Sequence, residues 1–256
     1  ATGTLDDTQL RTLEVRLRYL RELEERRAAI LGSIREQGKL DDALRQAIEA
    51  ADSKARLEDI YLPFRPKRRT RAMAAREKGL EPLARLILEQ KGDDPDVAAA
   101  GFVDMEKGVE TVQDALAGAR DIIAEMINED ASARTRMRDF FWKNAQVVSK
   151  VSSGKEATGA KFRDYFDWQE PAAAAPSHRV LAMRRGEREE VLNLSWLPPE
   201  AGALELLDAM FVTGTGADSE QVRAAVHDAY RRLLSRSLET ELRLAVKERA
   251  ETDAIR

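Results

Sequence analysis

Leucine and isoleucine residues recur at steps of three and four positions through the first part of the chain, between charged residues. They are Leu10, Leu13, Leu17, Leu20 and Leu23, followed by Ile30 and Ile34. An α-helix has 3.6 residues per turn, so this spacing places them along one face of a long helix. Thr4 or Thr8 is the expected N-cap of that helix, and Gly38 is expected to end it. We expect a chain with this pattern to fold mainly into helices, each of which buries one apolar face.

The same periodicity continues to about residue 151. Leu40, Leu44 and Ile48 indicate a second helix, and Asp52 is the expected cap of a third helix that Pro63 stops. Thr70 is the expected cap of a short helix closed by Gly79, and Pro82 lies in the first turn of the next helix. Two longer helices are expected around 109–130 and 132–151.

One strand signal follows this helical region. Val180 and Ala182 precede a polar turn with Gly186, and apolar residues at 191, 192 and 194 follow it, which predicts a β-hairpin. The expected fold is therefore mostly α, an elongated multi-helix scaffold with one small β-hairpin. The expected division is a helical domain over 1–151, a crossing and linker over 152–176, the hairpin over 177–198, and C-terminal helices over 199–256.

Composition limits the function. The 256 residues carry 42 basic and 46 acidic side chains, a net charge of −4, so binding to nucleic acid must be local. No cysteine is present, which excludes disulfides and thiolate metal sites. No apolar run reaches the roughly 20 residues of a membrane span, so no membrane partner is expected and cytoplasm is the simplest location. The missing Met and the uncapped final helix pattern suggest a fragment of a longer protein.

Positive charge is concentrated in one connector, over residues 61–71. It holds five cations and no acid: Arg65, Lys67, Arg68, Arg69 and Arg71. One interpretation is a contact with a polyanion, in which each neutralised phosphate adds about one unit to the salt dependence of binding. The other is a structural clamp, in which the arginines pair with acidic helices such as those at 13–27 and 57–61. Tyr61 and Phe64 flank Pro63 and are expected to anchor and bury the connector. Both interpretations stay open from the residues.

The sequence shows no group of residues typical of a catalytic or cofactor site. His178 and His227 have no second ligand at metal-binding spacing. The segment SSGKEATG at 152–159 lacks the first glycine and the Ser or Thr of a phosphate loop. TGTGADSE at 213–220 precedes a helix, but Asp218 or Ser219 is expected to cap that helix from within the chain. Acidic pairs lie at helix starts or turns, where they interact favourably with the helix dipole. We therefore expect no enzyme activity, no cofactor, no metal and no small-molecule substrate.

Three separated stretches resemble a known family. They are LEDIYLPFRPKRRTRAMAAREKGLEPLA at 57–84, GAKFRDYFDWQEPAAAAPSHRVLAMRRGEREEVL at 159–192, and DAYRRLLSRSLETELRLAVKERAETDAIR at 228–256. Together they resemble the N-terminal helical region of Tex, a bacterial transcription accessory protein family related to a eukaryotic transcription elongation factor. The resemblance covers nearly the whole chain. The alanine-rich stretch at 171–179 departs from the more varied and partly basic sequence expected there.

The resemblance implies a cytoplasmic, largely helical protein that binds RNA or DNA in its full-length form and acts with the transcription machinery. In full-length members a short helical start precedes this segment. An RNase H-like domain, a helix-hairpin-helix region and an OB-fold RNA-binding domain follow it. The resemblance supplies no catalytic motif for these residues.

The predicted function is a non-enzymatic scaffold that positions nucleic-acid-binding domains. The alternative is a helical protein-interaction module that docks the transcription machinery without touching nucleic acid, through an exposed apolar patch involving Phe140, Phe141 and Trp142 or the hairpin. A hydrolase is the third hypothesis, and it needs clustered acids around a metal, which the sequence does not provide.

Overall fold

A computed structural model describes residues 6–66 and 68–255, with side chains to residue 253. Thr4 and Lys67 lie outside the described residues. The chain divides into two compact units, Ala1–Arg68 and Arg69–Arg256. The division falls inside the basic connector and not near residue 151, because the helices after residue 69 share one core with the sheet that follows them.

Within residues 6–66, the first unit consists of three helices, α1 (Asp7–Glu36), α2 (Asp42–Glu49) and α3 (Lys54–Tyr61), followed by a 3₁₀ turn over Leu62–Phe64. Its core is a single cluster that includes Leu23, Ile30, Ile34, Ile48 and Leu57. Gly38 ends α1 with a positive φ of 68°, as expected.

Two predicted caps in this unit are wrong. Asp6, and not Thr8, caps α1 and forms a capping box with Gln9, because its carboxylate reaches the free amides of the first turn. Ser53, and not Asp52, caps α3 by accepting a hydrogen bond from the Arg56 amide. These differences shift helix starts by one or two residues and leave the pattern intact.

The apolar stripe of α1 is buried only in its second half. Leu23, Ile30 and Ile34 enter the core, whereas the leucines of the first half stay exposed: Leu10, Leu13, Leu17 and Leu20. Leu13 keeps 56% of its surface. Helical periodicity predicted the helix but not which turns of it are covered.

The second unit is built from nine helices within the part of the chain that the structure describes. They are α4 (Arg71–Glu77), α5 (Glu81–Glu89), α6 (Pro95–Ala100), α7 (Val112–Glu129), α8 (Ala131–Asn144), α9 (Ser177–Arg188), α10 (Glu200–Phe211), α11 (Ala217–Asp228) and α12 (Ser235–Ile255). Thr70 caps α4, and Gly79, with φ of 83°, follows its C-terminal end. Pro82 lies in the first turn of α5. These three features match the sequence prediction.

A π-helical segment, Ala229–Leu234, joins α11 to α12 without interruption. Helical backbone therefore runs continuously from Ala217 to Ile255. Ala229, Tyr230 and Leu234 of the π segment are buried in the core of the second unit. This long helix contacts α7, α8, α9 and the sheet, and it organises the unit.

The predicted β-hairpin at 177–198 is wrong. Residues 177–188 form α9, and the sheet has three antiparallel strands in the order β2-β1-β3: β1 (Gln146–Val151), β2 (Asp167–Pro171) and β3 (Leu192–Leu197). Val180 and Met183 are buried at helical spacing, and Gly186 packs against Leu192 and is not a turn residue. Only the second half of the predicted hairpin is a strand.

The central strand β1 was predicted as the end of a helix. Val147 and Ser149 of β1 are buried, the alternation of a strand, and Val147 lies opposite the buried Trp196 of β3. The predicted linker at 152–176 contains β2 and two 3₁₀ turns, and Ala172 and Ala175 are buried. The fold class is mostly α, as predicted, with a three-stranded sheet in place of the hairpin. No helix in residues 6–66 and 68–255 is long and apolar enough to cross a membrane.

Candidate nucleic-acid interface

The start of the basic connector is anchored in the first unit. Tyr61 is buried, and its hydroxyl lies 3.0 Å from the Ser33 hydroxyl. Phe64 packs against the core of this unit, and Gln37 Nε2 donates to its carbonyl oxygen at 3.0 Å. The prediction that these two aromatic residues anchor the connector is confirmed, but the prediction that they bury it is wrong, because Pro63, Arg65 and Arg68 are exposed.

Arg65 and Arg68 follow this anchor and are exposed. Within the described residues of their own unit, neither forms an ion pair. Several acids that a clamp would use are bonded elsewhere: Glu14 to Arg18, Glu22 to Lys54, Glu24 to Arg27, and Glu58 to Arg26. These four acids are therefore already paired within the first unit.

Arg69 and Arg71 belong to the second unit and are also exposed. Arg69 pairs with Glu77 at 2.5 Å, but the two side chains keep 72% and 58% of their surface. Exposed pairs of this kind contribute about 0–1 kcal/mol. Arg71 is the first residue of α4 and its side chain faces solvent.

Thr70, between these two arginines, forms two hydrogen bonds through its hydroxyl group. Its hydroxyl accepts a hydrogen bond from the Met73 amide at 3.0 Å and donates to Glu125 Oε1 at 2.9 Å. Glu125 is a buried residue of α7. The connector backbone at Thr70 is therefore fixed to the core of the second unit, while the side chains of Arg69 and Arg71 on either side of it are exposed to solvent.

Arg76, which lies outside the connector and which the sequence pattern did not single out, ties neighbouring helices together. It donates to Glu125 at 2.5 Å and to Glu81 at 2.6 Å, and so ties α4 to α7 and to the start of α5. Burial alone would lower the pKa of Arg76, but its hydrogen bonds to the two carboxylates outweigh burial and raise that pKa. No sequence signal separates Arg76 from the exposed arginines near it, because its buried partner Glu125 is 49 residues away.

Backbone amides around the glycine segment before α11 are already hydrogen-bonded to a carboxylate of the chain itself. Asp218 is buried and accepts hydrogen bonds from the Gly92 amide at 2.7 Å and the Ser219 amide at 2.8 Å. Gly216 is the N-cap, so neither Asp218 nor Ser219 is the capping residue that the sequence suggested. The carboxylate lies where an external anion would bind, so this segment offers no phosphate site.

The two histidines are not brought together. His227 Nε2 lies 3.3 Å from Asp208 Oδ2, and His178 is exposed on α9. Among the described residues, no group of three or more His, Cys, Asp or Glu is arranged to hold a metal ion.

The aromatic patch of the alternative hypothesis is largely covered. Phe141 is buried and Phe140 is half-buried, with its ring tip next to Gly202. Trp142 keeps 40% of its surface and lies under the Arg249 guanidinium at 5.9 Å. These residues do not form the large exposed patch that a docking module needs.

Comparison with known proteins gives the family. The model of the Tex central region-like family matches residues 90–256. Protein YhgF of Escherichia coli is 52% identical over 99% of this chain, and the transcriptional accessory protein Tex of Neisseria gonorrhoeae is 46% identical over all of it. The human S1 RNA-binding domain-containing protein 1 is 28% identical over 75% of the chain and matches over 20% of its own length. The chain spans about a third of the length of the two bacterial relatives, 34% in each case. On the basis of the family model and these identities, the chain belongs to the Tex family.

Proposed function

We propose that this chain is a non-catalytic helical scaffold within a nucleic-acid-binding transcription accessory protein of the cytoplasm. In this function it holds nucleic-acid-binding parts of the longer protein in a fixed arrangement and works with the transcription machinery. The names of two relatives support the proposal, since one is a transcriptional accessory protein and another contains an S1 RNA-binding domain.

The observation that carries the scaffold function is the way in which α12 is bonded to its neighbours. Glu241 accepts from Arg134 at 2.6 Å and from Arg138 at 2.9 Å, both on α8. Arg243 pairs with Glu187 of α9, and Arg249 donates to the carbonyl oxygen of Ala175 at 2.8 Å. Polar bonds along its length therefore tie the continuous helix to three other parts of the second unit.

The burial of Arg134 makes the connection between α8 and α12 stiff. Arg134 keeps only 6% of its side-chain surface, so it cannot leave Glu241 without a large desolvation penalty. A scaffold needs this property, because domains attached to it keep their relative positions only if its helices do not slide.

We further propose that the basic connector adds a contact with nucleic acid. Arg65, Arg68, Arg69 and Arg71 are exposed, and the backbone next to them is anchored at Tyr61 and Thr70. Each guanidinium group can donate two parallel hydrogen bonds to the oxygens of one phosphate. Lys67 completes the set of five in the sequence.

The test is a salt titration of single-stranded RNA and duplex DNA binding. The wild-type chain is compared with a variant in which Arg65, Lys67, Arg68, Arg69 and Arg71 are all changed to Gln. We expect the variant to bind more weakly and to melt at an unchanged temperature. Its salt slope on single strands should be lower by about 0.7 for each phosphate that it no longer neutralises. A lower melting temperature with unchanged binding would instead make the connector a structural clamp.

A charge-matched control separates a local contact from the removal of five positive charges anywhere. Five exposed cations without a described ion pair serve this purpose when changed to Gln: Arg45, Arg56, Arg136, Lys143 and Arg236. This control should bind nearly as well as the wild type. Equal weakening of both variants would refute a specific contact at the connector.

The first half of α1 favours a second candidate function, docking of a protein partner. Leu10, Leu13, Leu17 and Leu20 form an exposed stripe more than two turns long. An amphipathic helix of this kind fits an apolar groove on another protein. Purified bacterial RNA polymerase immobilised on a biosensor should bind the wild type and lose binding to L13Q/L17Q. Unchanged binding of that variant would exclude the stripe as the docking surface.

A further inference from the structure

A basic groove lies between α9 and α12 on the surface of the second unit. Its volume is about 730 Å³, within the range of pockets that hold ligands. His178, Arg185 and Arg188 line it from α9, at positions that share one helix face, and Lys247 lines it from α12. This groove could not be anticipated from the sequence pattern, because residues 177–198 were predicted to form a hairpin.

The acids in the groove are already neutralised by other cations. Glu187 is bonded to Arg184 at 2.8 Å and also pairs with Arg243. Glu251 lies 3.2 Å from Lys247. These bonds balance the acidic side chains of the lining, so the arginines of the last turns of α9 set its net charge.

Arg185 and Arg188 carry the surplus positive charge. Arg185 keeps 66% of its side-chain surface, and its one ion pair among the described residues is a 3.9 Å approach to Glu189. Glu189 is also bonded to Lys161 at 2.6 Å, so it neutralises little of the positive charge of Arg185. Arg188 is exposed and forms no ion pair with any residue that the structure describes.

The helix that presents these two arginines is firmly placed. Val180 and Met183 of α9 are fully buried. Gly186, between the arginines, lies so close to Leu192 that an added Cβ would be 2.5 Å from its Cδ1. A rigid helix loses little conformational entropy when its side chains bind a ligand.

The chemistry of the groove identifies the class of ligand. Among the described residues, its lining has no Trp, Tyr or Phe, so it lacks the platform on which bases stack and the anchor pocket typical of protein interfaces. What it offers is a pair of exposed guanidinium groups in a concave channel, which suits phosphate oxygens. We propose that the groove between α9 and α12 holds the phosphodiester backbone of a single nucleic-acid strand, without reading its sequence. This inference rests on the proposed function of the chain in a nucleic-acid-binding protein, and it adds a site separate from the connector.

The test compares the wild-type chain with R185Q/R188Q and with R136Q/R236Q. The second variant removes two exposed, unpaired arginines from α8 and α12, and it serves as the charge-matched control. Binding of fluorescent oligo-U, oligo-A and oligo-dT 12-mers is measured by anisotropy between about 50 and 300 mM salt, with melting temperatures for all three proteins. These probes distinguish ribose from deoxyribose and one base from another.

Two phosphate contacts on a single strand correspond to a salt slope of about 1.4 and to about 25-fold in affinity at 0.1 M salt. We expect the affinity of R185Q/R188Q to fall by that amount equally for all three oligonucleotides, with normal melting, and R136Q/R236Q to bind like the wild type. A decrease that depends on the base, an equal decrease in the control, or no binding by the wild type would overturn the proposal.

The outcomes also separate this proposal from the connector contact. If only the connector variant binds more weakly, the groove proposal is wrong and the connector contact stands. If only R185Q/R188Q binds more weakly, the connector proposal is wrong and the groove proposal stands. If R185Q/R188Q melts at a lower temperature and binds normally, its arginines serve only the C-terminal end of α9, where positive charge interacts favourably with the helix dipole, and the groove proposal is also wrong.

Discussion

Gly118 lies in the interior of α7, where alanine would normally be the better residue. Alanine is favoured over glycine in a helix by about 1 kcal/mol. At this position, however, an added Cβ would come closer than 3.0 Å to Leu80 Cδ1 and within 3.3 Å of the Ala75 Cβ. Carbon atoms in contact prefer a separation of about 3.5–4.0 Å. The missing side chain lets α7 approach the α4–α5 corner.

The two effects act in opposite directions, and their magnitudes decide the result. Leu80 and Ala75 are both buried, so neither can move aside without displacing the core. Overpacking of this kind costs about 1–3 kcal/mol. After the gain in helix propensity is subtracted, G118A should destabilise the second unit by about 1 kcal/mol. For a unit of this size that corresponds to a drop of about 2–4 °C in melting temperature.

The assay is thermal and urea unfolding of G118A, L80A and the double variant. Because L80A removes the atom that clashes, G118A should become neutral or stabilising in that background. G202A is the control, since its added Cβ meets only the ring tip of the half-buried Phe140 at 2.9 Å, and that ring can shift. Additive effects of G118A and L80A would refute the steric reasoning, as would stabilisation by G118A alone.

Three further predictions concern caps, buried carboxylates and pH. D218A leaves the Gly92 and Ser219 amides without their acceptor, so it should cost about 1–3 kcal/mol in urea unfolding; a destabilisation well below that range would contradict the assigned bonds. T111A removes the capping box of α7 and should cost about 1 kcal/mol, whereas T111S should cost much less. Burial opposes ionisation of Glu81, but hydrogen bonds from Arg76 and Arg85 hold its pKa below the usual 4.5. Its contribution is therefore present above pH 4.5 and is lost as pH falls through the lower folded-state pKa, so the stability of E81Q should fall less steeply with acid than that of the wild type.

The helical elements could be predicted because their signals are local. The periodicity of α1, the Thr70 cap, Gly79 after α4 and Pro82 at the start of α5 each depend on residues within one or two turns. The predicted caps were wrong where another residue that can cap a helix lies one or two positions away, as Asp6 does from Thr8 and Ser53 from Asp52. The choice there depends on which side chain reaches a free amide.

The sheet was predicted poorly because its signals are not local. The alternation in β1 is short, and it follows α8 directly with one residue between them. Its partners in β2 and β3 are 17 to 51 positions away along the chain, as with Lys150 and Asp167 or Gln146 and Leu197. Gly186 suggested a turn, but it is a helical residue whose small size lets α9 approach Leu192.

The sequence by itself determined the family resemblance, the mostly helical class and the position of the basic connector, because composition, periodicity and charge are properties of neighbouring residues. Only the tertiary structure decided which charges are used internally and which face solvent. Arg76 and Arg134 enter partly buried ion pairs with acids 49 and 107 positions away, whereas Arg65, Arg68, Arg185 and Arg188 remain exposed. An arginine has the same sequence signature in either role, and the fold separates the two roles because it alone brings distant carboxylates within reach.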